Sequence, residues 1–203
     1  MKLLIITPPI LLEGEISFLI RLFENGLETL HLRKPGWGMR EVNEYLEKIP
    51  VEFYERIMLH DHFELASSFN LKGIHFSEKE KENLDKWKKL PGLRSWAVHE
   101  EDELLNLPVE VDYVLLSPVF PSISKPDYTG KLNLKKVTGW LNAQKVAAKI
   151  YGLGGVEAVR IPELKEMGFD GAALLGAVWN PFQISPEKGF NNWTTIKEAC
   201  REI

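Results

Sequence analysis

Five histidines stand in this chain of 203 residues, and each closes or directly follows a short apolar run: His31, His60, His62, His75 and His99. An imidazole titrates near neutral pH, so it can hold a proton, pass one on, ligate a metal or hydrogen-bond a polar substrate. Charged and glycine residues occupy matching places. Arg33 and Lys34 follow His31, Asp61 follows His60, and Lys125 follows Ser122 and Ser124 in a long polar stretch. Gly154-Gly155 and Gly176 close two later apolar runs. Convergent cations neutralise an anion and hydroxyls add hydrogen bonds to it. Glycines let backbone N–H groups approach an anion with no Cβ in the way. The pattern predicts a site for a phosphorylated small molecule.

Those residues share one mouth only if the apolar runs are strands lying side by side in parallel. The runs Leu3–Ile6, Glu28–Leu32, Ile57–Leu59, Gly73–Phe76, Ser95–Val98, Val111–Leu116, Val146–Tyr151 and Gly171–Leu175 read as strands. Helical spacing between them predicts helices over 15–25, 40–48, 63–69, 78–89, 100–105, 132–141, 156–167 and 194–201. Strands that alternate with helices call for a parallel sheet covered by helices. The turn after the first strand is Thr7-Pro8-Pro9, with no glycine, against a dinucleotide-binding open sheet. The expectation is α/β: one (β/α)₈ TIM barrel over 1–203, close to the ~200-residue floor for that fold. Barrels do chemistry at the C-terminal ends of their strands and bind phosphate in the loops after strands seven and eight. Gly154, Gly155 and Gly176 fall in those two loops.

Composition narrows the partners. With 25 basic and 29 acidic residues the net charge is −4, and no basic cluster marks a nucleic-acid surface. The first apolar run is cut by Pro8-Pro9, too early for a secretory leader, and no stretch approaches the ~20 apolar residues of a membrane helix. One cysteine, Cys200, makes no intrachain disulfide. A cytoplasmic location is expected, with phosphorylated small molecules as partners and no nucleic acid or membrane; a homo-oligomer is compatible with the sequence. His60-Asp61-His62 resembles the His-x-His pair of barrel metallohydrolases, but that pair normally opens the first strand and this one ends the third. A single carboxylate, Asp61, holding magnesium beside a diphosphate is the better reading.

Several segments together resemble the thiamin phosphate synthase family, which includes the thiazole tautomerases: Leu30-His31-Leu32-Arg33, Leu59 to Ala66, Gly73-Ile74-His75, Asp112 to Lys125, Gly152 to Val156 and Gly168 to Val178. The resemblance implies a TIM barrel that joins a hydroxymethylpyrimidine diphosphate to a thiazole phosphate and releases pyrophosphate. It implies that Arg33 and Lys125 hold the diphosphate with Ser122 and Ser124, and that Asp61 and a later acid, aligned with Glu80, hold Mg²⁺. It implies that Gly154, Gly155 and the backbone near Gly176 hold the thiazole phosphate. His31, His60 and His75 are taken as further substrate-binding residues, with His99 and Lys125 as the catalytic pair.

The chain departs from the synthase pattern on one side of the site. The family's Gln-x-Arg-x-Lys at strand two is His31-Leu32-Arg33-Lys34-Pro35 here, so the second cation falls on Pro35, and Lys34 should point away. The Asn before Asp61 is His60, and the serine of strand five is Ala97 or is displaced to Ser95. The thiazole phosphate side is intact. Two alternatives follow: a thiazole tautomerase with His99 as acid and base, and a non-catalytic barrel that binds thiazole or thiamin phosphate.

Overall fold

The computed structural model describes residues 1–121 and 132–201. In chain order the principal elements are β1 (Lys2–Ile6), α1 (Glu15–Glu24), β2 (Leu30–Leu32), α2 (Met39–Leu46), β3 (Ile57–Leu59), α3 (Glu64–Ser68), β4 (Gly73–Phe76) and α4 (Leu84–Trp87). They continue with β5 (Leu93–Val98), β6 (Tyr113–Leu116), α5 (Leu134–Asn142), β7 (Lys149–Leu153), α6 (Ile161–Glu166), β8 (Gly171–Leu174), α7 (Gly176–Ile184) and α8 (Pro186–Ala199). Each strand pairs in parallel with the next, and β1 pairs with β8, with Leu3 opposite Ala172, so the sheet closes as an eight-stranded TIM barrel.

Alternation along the strands divides the molecule into two layers. Leu4, Ile6, Met58, Tyr113, Leu115, Tyr151 and Ala173 fill the barrel interior. Their neighbours Ile5, Leu30, Leu32, Ile57, Leu59, Ile74, Trp96, Val114 and Ile150 face outward and pack under the helices. Each such Leu or Ile, taken from water to full burial, contributes roughly 1.5–3 kcal/mol. Gly171 has a particular duty at the closure: a Cβ there would lie 2.2 Å from the Tyr151 ring that floors the barrel.

The strands lie where the sequence places them, within two or three residues. The helices differ more. The charged stretch expected as one helix over 78–89 is a 3₁₀ segment, Glu78–Asn83, followed by the single turn α4. Residues 100–105 and the start of 156–167 are also 3₁₀, at Glu101–Leu105 and Ala158–Arg160. The last helix begins at Pro186 rather than Thr194, with the Ser185 side chain accepting from the Lys188 N–H. α7 was not expected, because its residues are apolar around much of the circumference and Pro181 interrupts them. Among the described residues no helix is long and apolar enough to cross a membrane.

Candidate active site

A cavity of about 490 Å³ opens at the C-terminal ends of the strands. Much of its wall is the inward set continued one step past each strand: Ile6, Arg33, His60, His75 and Ser77, Ala97 and His99, Leu115 and Ser117, Leu153, and Leu175. Residues of the same parity, two apart, point to the same side of a strand. The barrel's alternation therefore assembles this wall without any special loop.

Three histidines form the buried side of the wall. His31 lies one level below the cavity with no exposure. Its Nδ1 is 2.9 Å from His60 Nε2 and its Nε2 is 2.6 Å from the Tyr113 hydroxyl. The His60 and His75 rings pack with centroids 4.2 Å apart, and His75 Nδ1 lies 2.8 Å from Ser95 Oγ. Ser95 is thus the polar support of His75, while Ala97 faces the cavity. Burial, reinforced by Arg33 and neighbouring cationic groups, lowers His75 to about 3. Burial first, then nearby imidazole charge, holds His31 and His60 well below the ordinary imidazole range. The cluster is neutral near pH 7. Imidazoles in that state exchange hydrogen bonds and do not supply charge to an anion.

Charge comes from Arg33 and Lys79. Thr7 fixes the end of β2 by reciprocal 2.9 Å bonds, accepting from the Arg33 N–H and donating to the Arg33 carbonyl. Lys34 has the opposite parity and turns away. Its ammonium is fully buried 2.7 Å from Glu15 Oε1 and also donates to the carbonyls of Pro8 and Ile10. Tyr45 donates its hydroxyl to the same Glu15. Pro35 lines the cavity where the family resemblance implies a cation.

Lys79 is the functional candidate that the sequence reading missed. Ser77 and Glu80 form a capping box: Glu80 Oε2 accepts from the Ser77 N–H and hydroxyl, both at 2.8 Å. That box starts the 3₁₀ segment and sets Lys79 over the mouth, where its ammonium pairs with Asp61 and lies 3.6 Å from Glu80 Oε1. Partial burial acts to lower Lys79, but the hydrogen bond and charge of Asp61, aided by Glu80, leave it raised overall. The Ser-x-x-Glu spacing was the available signal. Glu80 itself is absent from the cavity wall, and its carboxylate is committed to Ser77 and Lys79.

His99 lies at the rim, exposed, with Nδ1 3.2 Å from the Ser117 carbonyl oxygen and 3.3 Å from its hydroxyl. His62, with φ of 54°, turns its ring from the cavity to the Trp37 carbonyl, 2.8 Å away, so the His60/His62 pair does not converge. Gly154 and Gly155 follow Leu153, which lines the far wall, at φ of 95° and 63°. A Cβ at Gly154 would lie 2.9 Å from Pro118, and one at Gly155 would lie 2.4 Å from the Pro121 carbonyl oxygen. Gly176 opens α7 directly after Leu175, which lines the cavity, so the first N–H groups of that helix follow the wall in sequence. Ser122, Ser124 and Lys125 lie outside the described residues.

The family described as thiamine monophosphate synthase matches residues 3–178. A thiamine-phosphate synthase of Desulfitobacterium hafniense is 27% identical over 178 residues, covering 83% of this chain and 84% of the relative. One from Lactococcus lactis subsp. cremoris is 25% identical over 174 residues, covering 81% and 78%. The crystal structure of a thiamine phosphate pyrophosphorylase from Bacteroides thetaiotaomicron superposes with a TM-score of 0.84 at 30% identity, covering 99% of this chain and 98% of that one. A thiamine phosphate pyrophosphorylase from Pyrococcus furiosus shares the fold, with a TM-score of 0.75 at 18% identity. With the match spanning nearly the whole barrel, the chain belongs to the thiamine monophosphate synthase family of thiamin biosynthesis enzymes.

Proposed function

We propose that the chain is a transferase that joins hydroxymethylpyrimidine diphosphate to thiazole phosphate. The observation that carries this reading is one cavity with Arg33 and Lys79 on one side and, on the other, Leu153 and Leu175, which lead directly into Gly154-Gly155 and Gly176. In the reaction the bond between the pyrimidine methylene and the diphosphate oxygen breaks, and the electron pair leaves with pyrophosphate. The thiazole nitrogen then forms the new C–N bond. Positive groups fixed before the reaction stabilise charge as it develops on the leaving group. Arg33 has that place here, and Lys125, Ser122 and Ser124 are assigned to the same diphosphate. The backbone N–H groups of Gly154, Gly155 and Gly176 are assigned to the thiazole phosphate. His60 and His75 offer neutral hydrogen-bonding groups to the pyrimidine. His31 acts through His60, holding its ring.

Magnesium is the cofactor the resemblance implies, with Asp61 and Glu80 to hold it. The residues do not fit it as they stand. Lys79 pairs with both carboxylates, and Glu80 also caps Ser77. No step is assigned to a metal here. We place the reaction in the cytoplasm, where charged phosphorylated intermediates are retained.

His99 favours a second reading. It is a solvent-reachable imidazole on the cavity rim beside Ser117, suited to the proton shift of a thiazole tautomerase. The deciding experiment incubates the protein with pyrimidine diphosphate and thiazole phosphate and reads thiamin phosphate by fluorescence after oxidation. A parallel assay follows isomerisation of the dihydrothiazole carboxylate precursor. Product in the first assay supports the synthase; fast isomerisation with no thiamin phosphate replaces it with the tautomerase.

A further inference from the structure

We propose that the Lys79 ammonium binds the diphosphate in place of a divalent cation, so that this barrel holds pyrophosphate without metal. The inference rests on the synthase reading for the identity of the anion. Its basis is the arrangement at the mouth. Asp61 and Glu80 flank one point on the cavity wall, and that point holds Lys79 Nζ, bonded to Asp61 and 3.6 Å from Glu80 Oε1. The pair thus fixes a positive group, as it would an ion, but one supplied by the chain.

The rest of the wall fits this exchange. Lys34 is buried against Glu15, and Pro35 carries no charge. Among the described residues lining the cavity, Arg33 and Lys79 are the lysine and arginine side chains. An ammonium has three donors. Asp61 and Glu80 engage at most two, which leaves a donor for a phosphate oxygen. Two carboxylates and one ammonium sum to −1, whereas the same carboxylates with a divalent ion sum to zero. A chain-borne cation therefore binds the anion less tightly than a metal-filled site would, but independently of metal supply. The capping box of Ser77 and Glu80 holds the 3₁₀ turn and so spares Lys79 from having to be positioned by the anion itself.

The test is calorimetric binding of inorganic pyrophosphate to the full chain, in EDTA and then in millimolar magnesium. The parent should bind in EDTA, with less than about a threefold change on adding magnesium. Lys79→Ala should lose at least about tenfold in EDTA, the scale of one charge-assisted hydrogen bond. Magnesium should restore that variant to at least the parent's affinity, because Asp61 and the Glu80 Oε1 that faced Lys79 are released while Oε2 keeps the Ser77 cap. Lys79→Arg, which keeps the charge, should bind in EDTA. The Lys79 side chain is 56% exposed, so its loss removes little packing, and circular dichroism checks the fold. Parent binding that appears only with magnesium overturns the inference, as does an unchanged Lys79→Ala affinity in EDTA or no binding in either condition. Thiamin phosphate formation is scored separately. Lys79-dependent binding in EDTA without product upholds this inference and sinks the synthase reading.

Discussion

The two sides of the cavity are built from different materials. Between β2 and β4 the wall is made of side chains: Arg33, His60, Asp61, His75 and Lys79. After β7 and β8 it is made of Leu153 and Leu175, which lead into the backbone of Gly154-Gly155 and Gly176. The side-chain wall is where the chain departs from the synthase pattern, with Pro35 for a cation and Lys79 between the acids. The backbone wall keeps its glycines. A side chain can be exchanged one residue at a time while its strand stays in place. A Cβ at Gly154 or Gly155 would come within 3 Å of the Pro118–Pro121 segment, so a change there displaces the chain.

The largest effect expected from this contrast is on stability at low pH, and it belongs to the side-chain wall. His31, His60 and His75 stay neutral in the fold, whereas in the unfolded chain they take up protons below the ordinary imidazole value of 6.5. Their contribution is fully present above that value and is lost as pH falls towards the folded value, about 3 for His75. Each such group costs about 1.4 kcal/mol per pH unit in that window. Urea midpoints at pH 7 and pH 5 should therefore drop steeply, and His75→Asn should flatten the slope by about one proton. A parent midpoint that does not move would show that the imidazoles are charged in the fold.

Next is Gly154→Val, aimed at the backbone wall. The residue would be strained at φ of 95° and would crowd Pro118. Thiazole phosphate affinity should fall about 100-fold, near 2.7 kcal/mol, with pyrophosphate affinity within about threefold. Arg33→Ala should do the reverse, costing pyrophosphate about 30-fold, near 2 kcal/mol, and leaving thiazole phosphate binding in place. If either variant weakens both ligands equally, the two walls do not act separately. The smallest effect is for His99→Asn. Thiamin phosphate formation should slow by no more than about tenfold, since the attacking nitrogen needs no strong base. Collapse of synthesis would make His99 a catalytic acid or base and join the rim to the chemistry.

The parity of the strands made most of this cavity legible beforehand. Arg33, His60, His75 and His99 line it because each lies an even step from an inward strand residue. The same rule sends Lys34 away. His31 follows the rule too, but it lies one level deeper, and depth along a strand depends on stagger around the barrel, which a single chain pattern does not encode. Glu80 and Lys79 were harder to place. The family resemblance aligned Glu80 with a metal acid, whereas its carboxylate caps Ser77, three residues earlier, and pairs with Lys79. α7 was missed because a helix that is apolar around much of its circumference carries little periodicity to read.

The turn of Lys34 away from the cavity, into burial against Glu15, has a historical consequence. Its ammonium ties Glu15, the Tyr45 hydroxyl acting on that same carboxylate, and the carbonyls of Pro8 and Ile10 into one dry knot. Such a residue is entrenched. Replacing Lys34 alone strands a buried carboxylate, and replacing Glu15 alone strands a buried ammonium, so neither route is open by single steps. A lineage that needed another cation at this mouth would find it easier to recruit a surface turn than to reclaim the lysine nearest by sequence. Lys79, on the short 3₁₀ segment after β4, is a cation of that kind.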